Sequence, residues 1–406
     1  MGAVPYYVDE SVTLFQGDCR DIMEGHLADN SVDSIVTDPP YELGFMGKGW
    51  DGSGIAYNSE VWENAYRVLK PGGHLLAFGG TRTWHRLAVA IEDAGFEVRD
   101  SIAWMYGSGF PKSLDVSKAI DKAAGAEREV VGSDTKARST SGKSALPTLN
   151  GETVYQSWDI TAPATPAAQQ WQGWGTALKP AFEPIVVARK PLIGTVAENV
   201  LAHGTGGLNI DGCRIDHDAQ SAAWVEKWSG HDGHPEQPGW GSMGQKFGGS
   251  DKGRWPANVV LDESQAAELD KQSGVLTSGA NPTSRSSDKF RNAYGDFTGQ
   301  TQCVPARGID TGGASRFFYC PKANSSERPR DGDTAHPTVK PLELMQYLIK
   351  LVTPPGGTVL EPFAGSGTTL EACIIEGFKC IGIELTPEYL PLIVQRVTKP
   401  IEVTLL

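Results

Sequence analysis

Residues 31–41, Ser-Val-Asp-Ser-Ile-Val-Thr-Asp-Pro-Pro-Tyr, are the stretch from which the fold of this 406-residue chain is best predicted. The first six residues, 31–36, predict a short buried strand, and Thr37 and Asp38 follow it. Each proline pushes the preceding residue away from helical backbone and lacks an N–H group, so the loop is stiff and its carbonyls stay free. A carboxylate, a free carbonyl and a ring face together suit the binding of a planar amine. In isolation, a tight turn with a satisfied Asp38 and a buried Tyr41 is the better interpretation.

A second stretch, residues 360–369 (Leu-Glu-Pro-Phe-Ala-Gly-Ser-Gly-Thr-Thr), shifts the interpretation towards a ligand site. It predicts the end of a strand and a turn into a helix, where small residues allow close approach and free N–H groups face the ligand. The pattern is not GxGxxG, and Glu361 would repel a pyrophosphate, which disfavours a dinucleotide oxidoreductase. An acid at this point suits an ammonium group. The next strand ends in Glu384, the usual place for an acid that holds ribose hydroxyls.

Together the two stretches resemble the amino-methyltransferases of DNA that use S-adenosylmethionine (SAM). Their order, with the catalytic motif first, resembles the permuted β class of this DNA methylase N-4/N-6 family. Residues 107–112, Gly-Ser-Gly-Phe-Pro-Lys, resemble phage and prophage members of the family in particular. The hexapeptide 336–341, His-Pro-Thr-Val-Lys-Pro, is similar to a further motif on the cofactor side of that family, and the sequence predicts a helix over 338–352. The resemblance covers both ends of the chain well and the middle poorly.

The resemblance implies an α/β fold: a doubly wound, mostly parallel sheet in a circularly permuted, Rossmann-like class I methyltransferase core, with an inserted target-recognition region. Alternating strand and helix patterns in the chain agree with a parallel-rich sheet. We expect the strand before Asp18 to lie beside the strand that ends at Glu384, and the two motif loops to be neighbours. We predict five parts, which are 1–110 (first catalytic part), 111–180 (insertion), 181–190 (returning core strand), 191–330 (target recognition) and 331–406 (cofactor part).

Site residues follow from the resemblance, position by position. Asp18 suits the cofactor's adenine amino group and a helix N-cap about equally, and Phe363 suits cofactor contact and core packing about equally. The candidate catalytic residues are Asp38, Pro39, Pro40 and Tyr41. The candidate cofactor-binding residues are Asp18, Thr338, Lys340, Glu361, Pro362, Phe363, Ala364, Gly365, Ser366, Gly367, Thr368 and Glu384.

Composition bears on the partners. The net charge of −13 argues at first against nucleic acid, but most Lys and Arg residues lie in the middle of the chain. Aromatic and cationic residues alternate between about 190 and 330, which fits contacts to DNA grooves and strands as well as a small loop-rich core. We therefore expect double-stranded DNA as the partner.

The six cysteines include no CxxC pair, so neither a zinc site nor a disulfide framework is predicted, and we expect no metal.

The function that the resemblance implies is methyl transfer from SAM to the exocyclic amine of a flipped DNA base. Asp rather than Ser before Pro-Pro-Tyr favours adenine N6, with cytosine N4 as the alternative. RNA is a lesser alternative substrate, and a non-catalytic SAM- or DNA-binding protein is the alternative from another class. The resemblance is compatible with a homodimer and with a cognate restriction endonuclease. No apolar run is long enough for a bilayer and no signal segment is evident, so we expect no membrane partner and a cytoplasmic protein of a bacterium or phage-infected cell.

Overall fold

The fold is given by a computed structural model, which describes residues 4–44, 49–109, 113–137, 155–216, 253–278, 310–321, 330–331, 334–335 and 339–400. The chain forms two units, one made of Met1–Gly107 with Phe182–Leu406 and the other of Ser108–Ala181. The larger unit contains both motif loops, so it carries the candidate site.

The strands, numbered along the chain, are β1 (Tyr7–Val8), β2 (Val12–Gln16), β3 (Val32–Thr37), β4 (Leu69–Phe78), β5 (Glu97–Met105), β6 (Val130–Ala137), β7 (Tyr155–Thr161), β8 (Phe182–Arg189), β9 (Val259–Leu261), β10 (Leu276–Ser278), β11 (Asp310–Gly312), β12 (Arg330–Asp331), β13 (Thr334–Ala335), β14 (Thr358–Glu361) and β15 (Lys379–Glu384). The helices are α1 (Cys19–His26), α2 (Ser59–Val68), α3 (Trp84–Asp93), α4 (Val116–Ala123), α5 (Pro166–Gln170), α6 (Val196–His203), α7 (Glu263–Ser273), α8 (Leu342–Val352), α9 (Thr368–Ile375) and α10 (Leu390–Val397).

Nine strands of the larger unit form one sheet in the order β1-β2-β15-β14-β3-β4-β8-β5-β9. The run from β2 to β4 is parallel, whereas β8 is antiparallel to both β4 and β5. The strand before Asp18 pairs with the strand that ends at Glu384, since Gln16 lies opposite Glu384. This pairing of strands from opposite ends of the chain confirms the prediction of a permuted, mostly parallel sheet.

Two buried clusters lie on opposite faces of the sheet, because successive strand residues point to opposite sides. Ile35 and Leu75 belong to a cluster that includes residues of α1, α2 and α3. Their neighbours Val36 and Leu76 belong to the other cluster, which includes residues of α8, α9 and α10. Helices therefore cover both faces, which confirms the doubly wound arrangement.

The helix predicted over 338–352 begins later than predicted, at Leu342. Pro341 has φ −58° and ψ 134°, which is extended backbone. Proline disfavours helical backbone in the residue before it, so Lys340 is kept out of the helix. As a result Lys340 lies in a non-helical segment leading into α8.

The smaller unit contains the antiparallel pair β6–β7 and the helices α4 and α5. Its buried polar centre is Asp121, whose carboxylate is paired with Arg128 at 2.6 Å. The same carboxylate accepts hydrogen bonds from the Thr165 hydroxyl and from the amides of Ala164 and Thr165. These contacts connect α4 to the residues that lead into α5.

Candidate active site

The two motif loops are neighbours because β3 and β14 are parallel and adjacent, with Ile35 opposite Leu360. Carboxyl ends of adjacent parallel strands meet at one edge of the sheet, which is where ligands bind in such folds. At this edge the hydroxyl of Thr37 donates a hydrogen bond to Glu361. The residue that precedes Asp38 is therefore joined directly to the acid of the second motif.

Asp38 has two carboxylate oxygens in different situations. Its Oδ2 atom accepts a hydrogen bond from Lys340 Nζ at 2.6 Å. Its Oδ1 atom is buried, and none of the residues that the structure describes donates a hydrogen bond to it. A buried acceptor without a donor is costly unless a ligand supplies one. Oδ1 is thus an acceptor suited to an incoming N–H group.

Lys340 is buried and faces two carboxylates, those of Asp38 at 2.6 Å and Glu183 at 3.4 Å. Burial by itself lowers the pKa of Lys340, but the negative charges of Asp38 and Glu183 outweigh burial and raise it above its ordinary value. The ammonium also lies 4.9 Å from the ring centre of Phe78 and 5.2 Å from that of Tyr41. Lys340 is therefore a cation at neutral pH and donates to Asp38.

Tyr41 is held at both its hydroxyl and its backbone. The hydroxyl donates to Glu183 Oε2 at 2.7 Å, and the carbonyl of Tyr41 accepts from the Thr83 hydroxyl at 2.9 Å. Burial, with the nearby charges of Asp38 and Glu183, raises the pKa of Tyr41 well above its ordinary value, so the phenol stays protonated. A Cβ atom on Gly80 would come within 3.2 Å of the Tyr41 ring, so the glycine leaves room for it. The aromatic side chain is thus fixed beside Asp38.

Glu361 is enclosed by protein donors. One of its oxygens accepts from the hydroxyl of Thr37 and from the amide of Phe363 at 3.0 Å, and the other accepts from the hydroxyl of Thr369 at 2.7 Å. Burial raises the pKa of Glu361 to about 8, and the three hydrogen bonds only partly offset it. The carboxyl group thus joins β3, the turn after β14 and helix α9.

Glu384 shapes the turn of the second motif. Its Oε2 atom accepts from the amide of Gly365 and its Oε1 atom from the amide of Thr386, each at 2.7 Å. Gly365 and Gly367 have φ values of 53° and 80°, which favour glycine. A Cβ atom on Gly367 would lie 3.0 Å from Ile393, so the turn packs tightly there.

Asp18 is the N-cap of α1, one of the two roles predicted for it. Its carboxylate accepts from the amide of Arg20 at 2.9 Å and forms an ion pair with that guanidinium at 2.7 Å. The hydrogen bonds from Arg20 hold the pKa of Asp18 below its ordinary value. The amide of Gly17 donates to the carbonyl of Glu384, so the Asp18 loop adjoins the end of β15.

The remaining predicted residues fall into three groups. Phe363 packs against the buried cluster that contains Ile35 and Leu75, so it has the core-packing role that was one of the two expected for it. Thr338 lies outside the described residues. Thr368 is held by Arg396 and lies 3.2 Å from the Ser366 hydroxyl. The structure also brings prolines and small residues of both motifs to the two loops, namely Pro39, Pro40, Pro362 and Ala364.

Glu183 was missed by the sequence analysis. It contacts Tyr41 from 142 residues away, and no local pattern signals such a partner. The one hint in the sequence is an acid directly before Pro184 at the start of an apolar strand.

Among the described residues, no group of three or more His, Cys, Asp or Glu side chains is arranged to hold a metal ion, and no helix has the length and apolarity needed to cross a membrane.

The site has the chemistry that the cofactor SAM requires. Two buried acidic side chains, Glu361 and Glu384, flank a glycine-containing turn at a strand's carboxyl end. Their oxygens can accept hydrogen bonds from ammonium and ribose hydroxyl groups, and SAM carries both. Asp38 Oδ1, a buried acceptor to which no residue in the described part of the chain donates, adjoins the same edge of the sheet. The residues present therefore fit a sulfonium cofactor placed next to an oxygen that can accept a hydrogen bond from an amine.

Comparison with known proteins finds methylases among the relatives of this chain. "Putative methylase YubD" of Escherichia coli K12 is 48% identical over 58 residues, which is 14% of this chain and 26% of YubD. "DNA adenine methyltransferase YhdJ" of the same organism is 46% identical over 61 residues, 15% of this chain and 21% of YhdJ. The chain thus matches about a quarter or less of the length of these two relatives.

The solved structure of the cytosine-N4-specific PvuII DNA methyltransferase covers 98% of this chain and 90% of its own, with a TM-score of 0.46 and 13% identity. A family model described as DNA methylase, for N6 and N4 methyltransferases, matches residues 32–395, which is most of the chain and includes both motif loops. On the strength of that match, the chain belongs to the DNA methylase family.

Proposed function

We propose that this protein transfers a methyl group from SAM to the exocyclic amino group of a base in double-stranded DNA, and that the base is adenine, methylated at N6. The observation that carries the proposal is the buried Oδ1 atom of Asp38, which has no donor among the described residues and lies beside the fixed ring of Tyr41. Family membership supports methyl transfer. Support for adenine comes from an aspartate before Pro-Pro-Tyr and from a relative named as a DNA adenine methyltransferase.

When bound, SAM supplies an electrophilic methyl group on a sulfonium sulfur. In the proposal, Glu384 holds the ribose hydroxyls, Glu361 faces the ammonium group and Asp18 lies towards the adenine end. The glycines of the turn let the backbone approach the cofactor closely. Because Glu361 and Glu384 already accept protein hydrogen bonds, they are held in place before the cofactor arrives.

The target base is flipped out of the duplex, which costs a few kcal/mol. Stacking on Tyr41 offsets part of that cost, since a base on an aromatic ring is worth about 1–3 kcal/mol. The amino group then donates to Oδ1 of Asp38 and to the carbonyl of Pro39, which turns its lone pair towards the methyl group. As nitrogen takes the methyl group, the carbon–sulfur bond breaks with its electron pair left on sulfur, and the surplus proton on nitrogen passes to Oδ1 of Asp38. Lys340 occupies Oδ2, so Oδ1 remains the acceptor for the amine. Catalysis is mostly positioning, together with stabilisation of the positive charge that develops on nitrogen.

The test uses purified protein, unmethylated DNA and methyl-labelled SAM, followed by digestion and mass spectrometry of the nucleosides. Label in N6-methyladenine that disappears in Asp38→Ala would support the proposal. Label in N4-methylcytosine would keep the mechanism and overturn the choice of base. No label on several unrelated DNAs, with SAM still bound, would instead favour an RNA substrate or a binding protein.

Isothermal titration with SAM separates the role of Asp38 from that of the cofactor turn. Asp38→Ala should bind SAM nearly as the wild type does, because Asp38 contacts the base rather than the cofactor in this proposal. A lost SAM affinity would contradict the assigned role. The homodimer, the restriction partner, the cytoplasmic location and the five-part division of the chain stay predictions.

A further inference from the structure

Glu183, in β8, contacts side chains from both ends of the chain at the candidate site. Its Oε2 atom accepts the hydrogen bond from the Tyr41 hydroxyl at 2.7 Å and lies 3.4 Å from Lys340 Nζ. The same ammonium group donates to Asp38 at 2.6 Å. A single carboxylate therefore restrains both the ring that would stack on the base and the cation that occupies one oxygen of Asp38.

These contacts are shielded from water. The side chain of Glu183 is 17% exposed and that of Lys340 is 9% exposed. Hydrogen bonds to charged groups are the strong ones, and a low local dielectric strengthens them further. Burial raises the pKa of Tyr106 to about 12, with a further contribution from Glu183, so this second phenol also stays protonated near the carboxylate. The groups around Lys340 are thus two carboxylates and two neutral phenols.

The net charge of the cluster also bears on methyl transfer. Asp38, Glu183 and Lys340 sum to one negative charge, which faces the place where the amine would gain positive charge. Fixed charges of the right sign, placed where charge develops, lower the barrier of a reaction. A neutral residue at position 183 would bring the cluster to zero and leave the Tyr41 hydroxyl without its charged acceptor.

We infer that Glu183 is a positioning residue for methyl transfer, which fixes the Tyr41 ring for stacking and keeps Lys340 on Oδ2 of Asp38. This inference rests on the proposed function. Glu183 acts through two other side chains, so its loss should affect the rate of transfer far more than the binding of SAM. In this inference Tyr41 contributes its hydroxyl as well as its ring, because Glu183 accepts a hydrogen bond from that hydroxyl.

The experiment compares Glu183→Gln, Tyr41→Phe and the double variant on a DNA that the wild type methylates. Glu97→Gln is the matched control, because Glu97 pairs with Arg189 of β8 at 2.6 Å but lies outside the site. Glu183→Gln should lower kcat tenfold or more while the Kd for SAM stays within twofold, and Glu97→Gln should behave as the wild type. The double variant should be no worse than the poorer single variant by more than about twofold, since Glu183→Gln removes the charge of the acceptor and Tyr41→Phe removes the donor of one and the same hydrogen bond.

A pH profile gives a readout that a merely structural role would not change. Glu183 is one of the two carboxylates that keep Lys340 charged, so the alkaline limb of kcat should move to lower pH in Glu183→Gln. The wild type and Glu97→Gln should share one alkaline limb. Circular dichroism and thermal unfolding verify that each variant is folded.

If folded Glu183→Gln has the kcat and the pH profile of the wild type, the inference is overturned and the proposed function still stands. The same holds if the losses of kcat in the two single variants multiply in the double variant. Should Glu183→Gln not fold, Tyr41→Phe decides, because it removes the same hydrogen bond from the other side. A lowered kcat with an unchanged Kd for SAM would then support the inference, and an unchanged kcat would overturn it. A wild type that methylates no nucleic acid refutes the proposed function, and this inference with it.

Discussion

Replacing Glu361 by glutamine should remove a large part of the dependence of stability on pH. The carboxyl group is buried and accepts hydrogen bonds from two hydroxyls and one amide. Glutamine retains this pattern, because its oxygen accepts from Thr37 and Phe363 while its NH₂ group donates to the Thr369 hydroxyl, which rotates to accept. The substitution thus changes the titration with little change in packing.

The magnitude follows from the pKa of Glu361, which burial raises from the ordinary 4.5 to about 8. Because the folded state holds this proton more tightly, the group's contribution to stability is complete below pH 4.5. The contribution is lost as pH rises to about 8. At about 1.36 kcal/mol for each pKa unit, the loss is on the order of 5 kcal/mol. The wild type should therefore lose this much free energy of unfolding relative to Glu361→Gln between the two pH values.

Urea unfolding at pH values from 5 to 9 measures the difference directly, through the midpoint and slope of each transition. Glu388→Gln, at an exposed glutamate, is the control and should follow the wild type across the range. Free energies of unfolding for the wild type and Glu361→Gln that run parallel with pH would refute the reasoning, because they would show that Glu361 does not titrate in this range.

Three further predictions concern separate elements. Gly367→Ala should cost about 2 kcal/mol of unfolding free energy from left-handed backbone and crowding, whereas Gly377→Ala, at φ 75° in open space, should cost about half of that in the same urea assay. Lys340→Met should lower the unfolding free energy by about 3–5 kcal/mol at pH 7, because it leaves two carboxylates facing each other without a cation. In the smaller unit, Arg128→Met should leave Asp121 buried and without its cation, which limited proteolysis should detect as faster cleavage between residues 108 and 181.

Much of the sheet could be predicted because it follows from local pattern and general topology. Two parallel strands that each lead to an acid at the carboxyl end predicted that the loops after β3 and β14 meet. The hydrogen bond between Thr37 and Glu361 shows that they do. The pairing of β2 with β15 followed from treating the core as permuted. What the sequence did not show is that Glu361 is enclosed by hydroxyl donors, since Thr37 lies 324 residues away from it.

Lys340 shows how a motif can be found and its contacts still be unknown. The resemblance placed it with the cofactor residues, whereas its ammonium lies against Asp38, 302 residues away. The local cause is Pro341, which delays the start of the helix to Leu342 and leaves Lys340 outside it. The contact of Lys340 with the catalytic loop could be seen only in three dimensions.

Glu183 could not be predicted because its position depends on strand register. In the antiparallel pair, Phe78 at the end of β4 lies opposite Ile185, and the amide of Gly79 donates to the carbonyl of Pro184 at 2.9 Å. Glu183 is therefore the residue that reaches past the end of β4 towards the Tyr41 loop. A shift by one residue would turn its side chain to the other face of the sheet and break the contact. Sequence pattern predicts that β8 is a strand but not its register, so the partner of Tyr41 became visible only once β4 and β8 were paired.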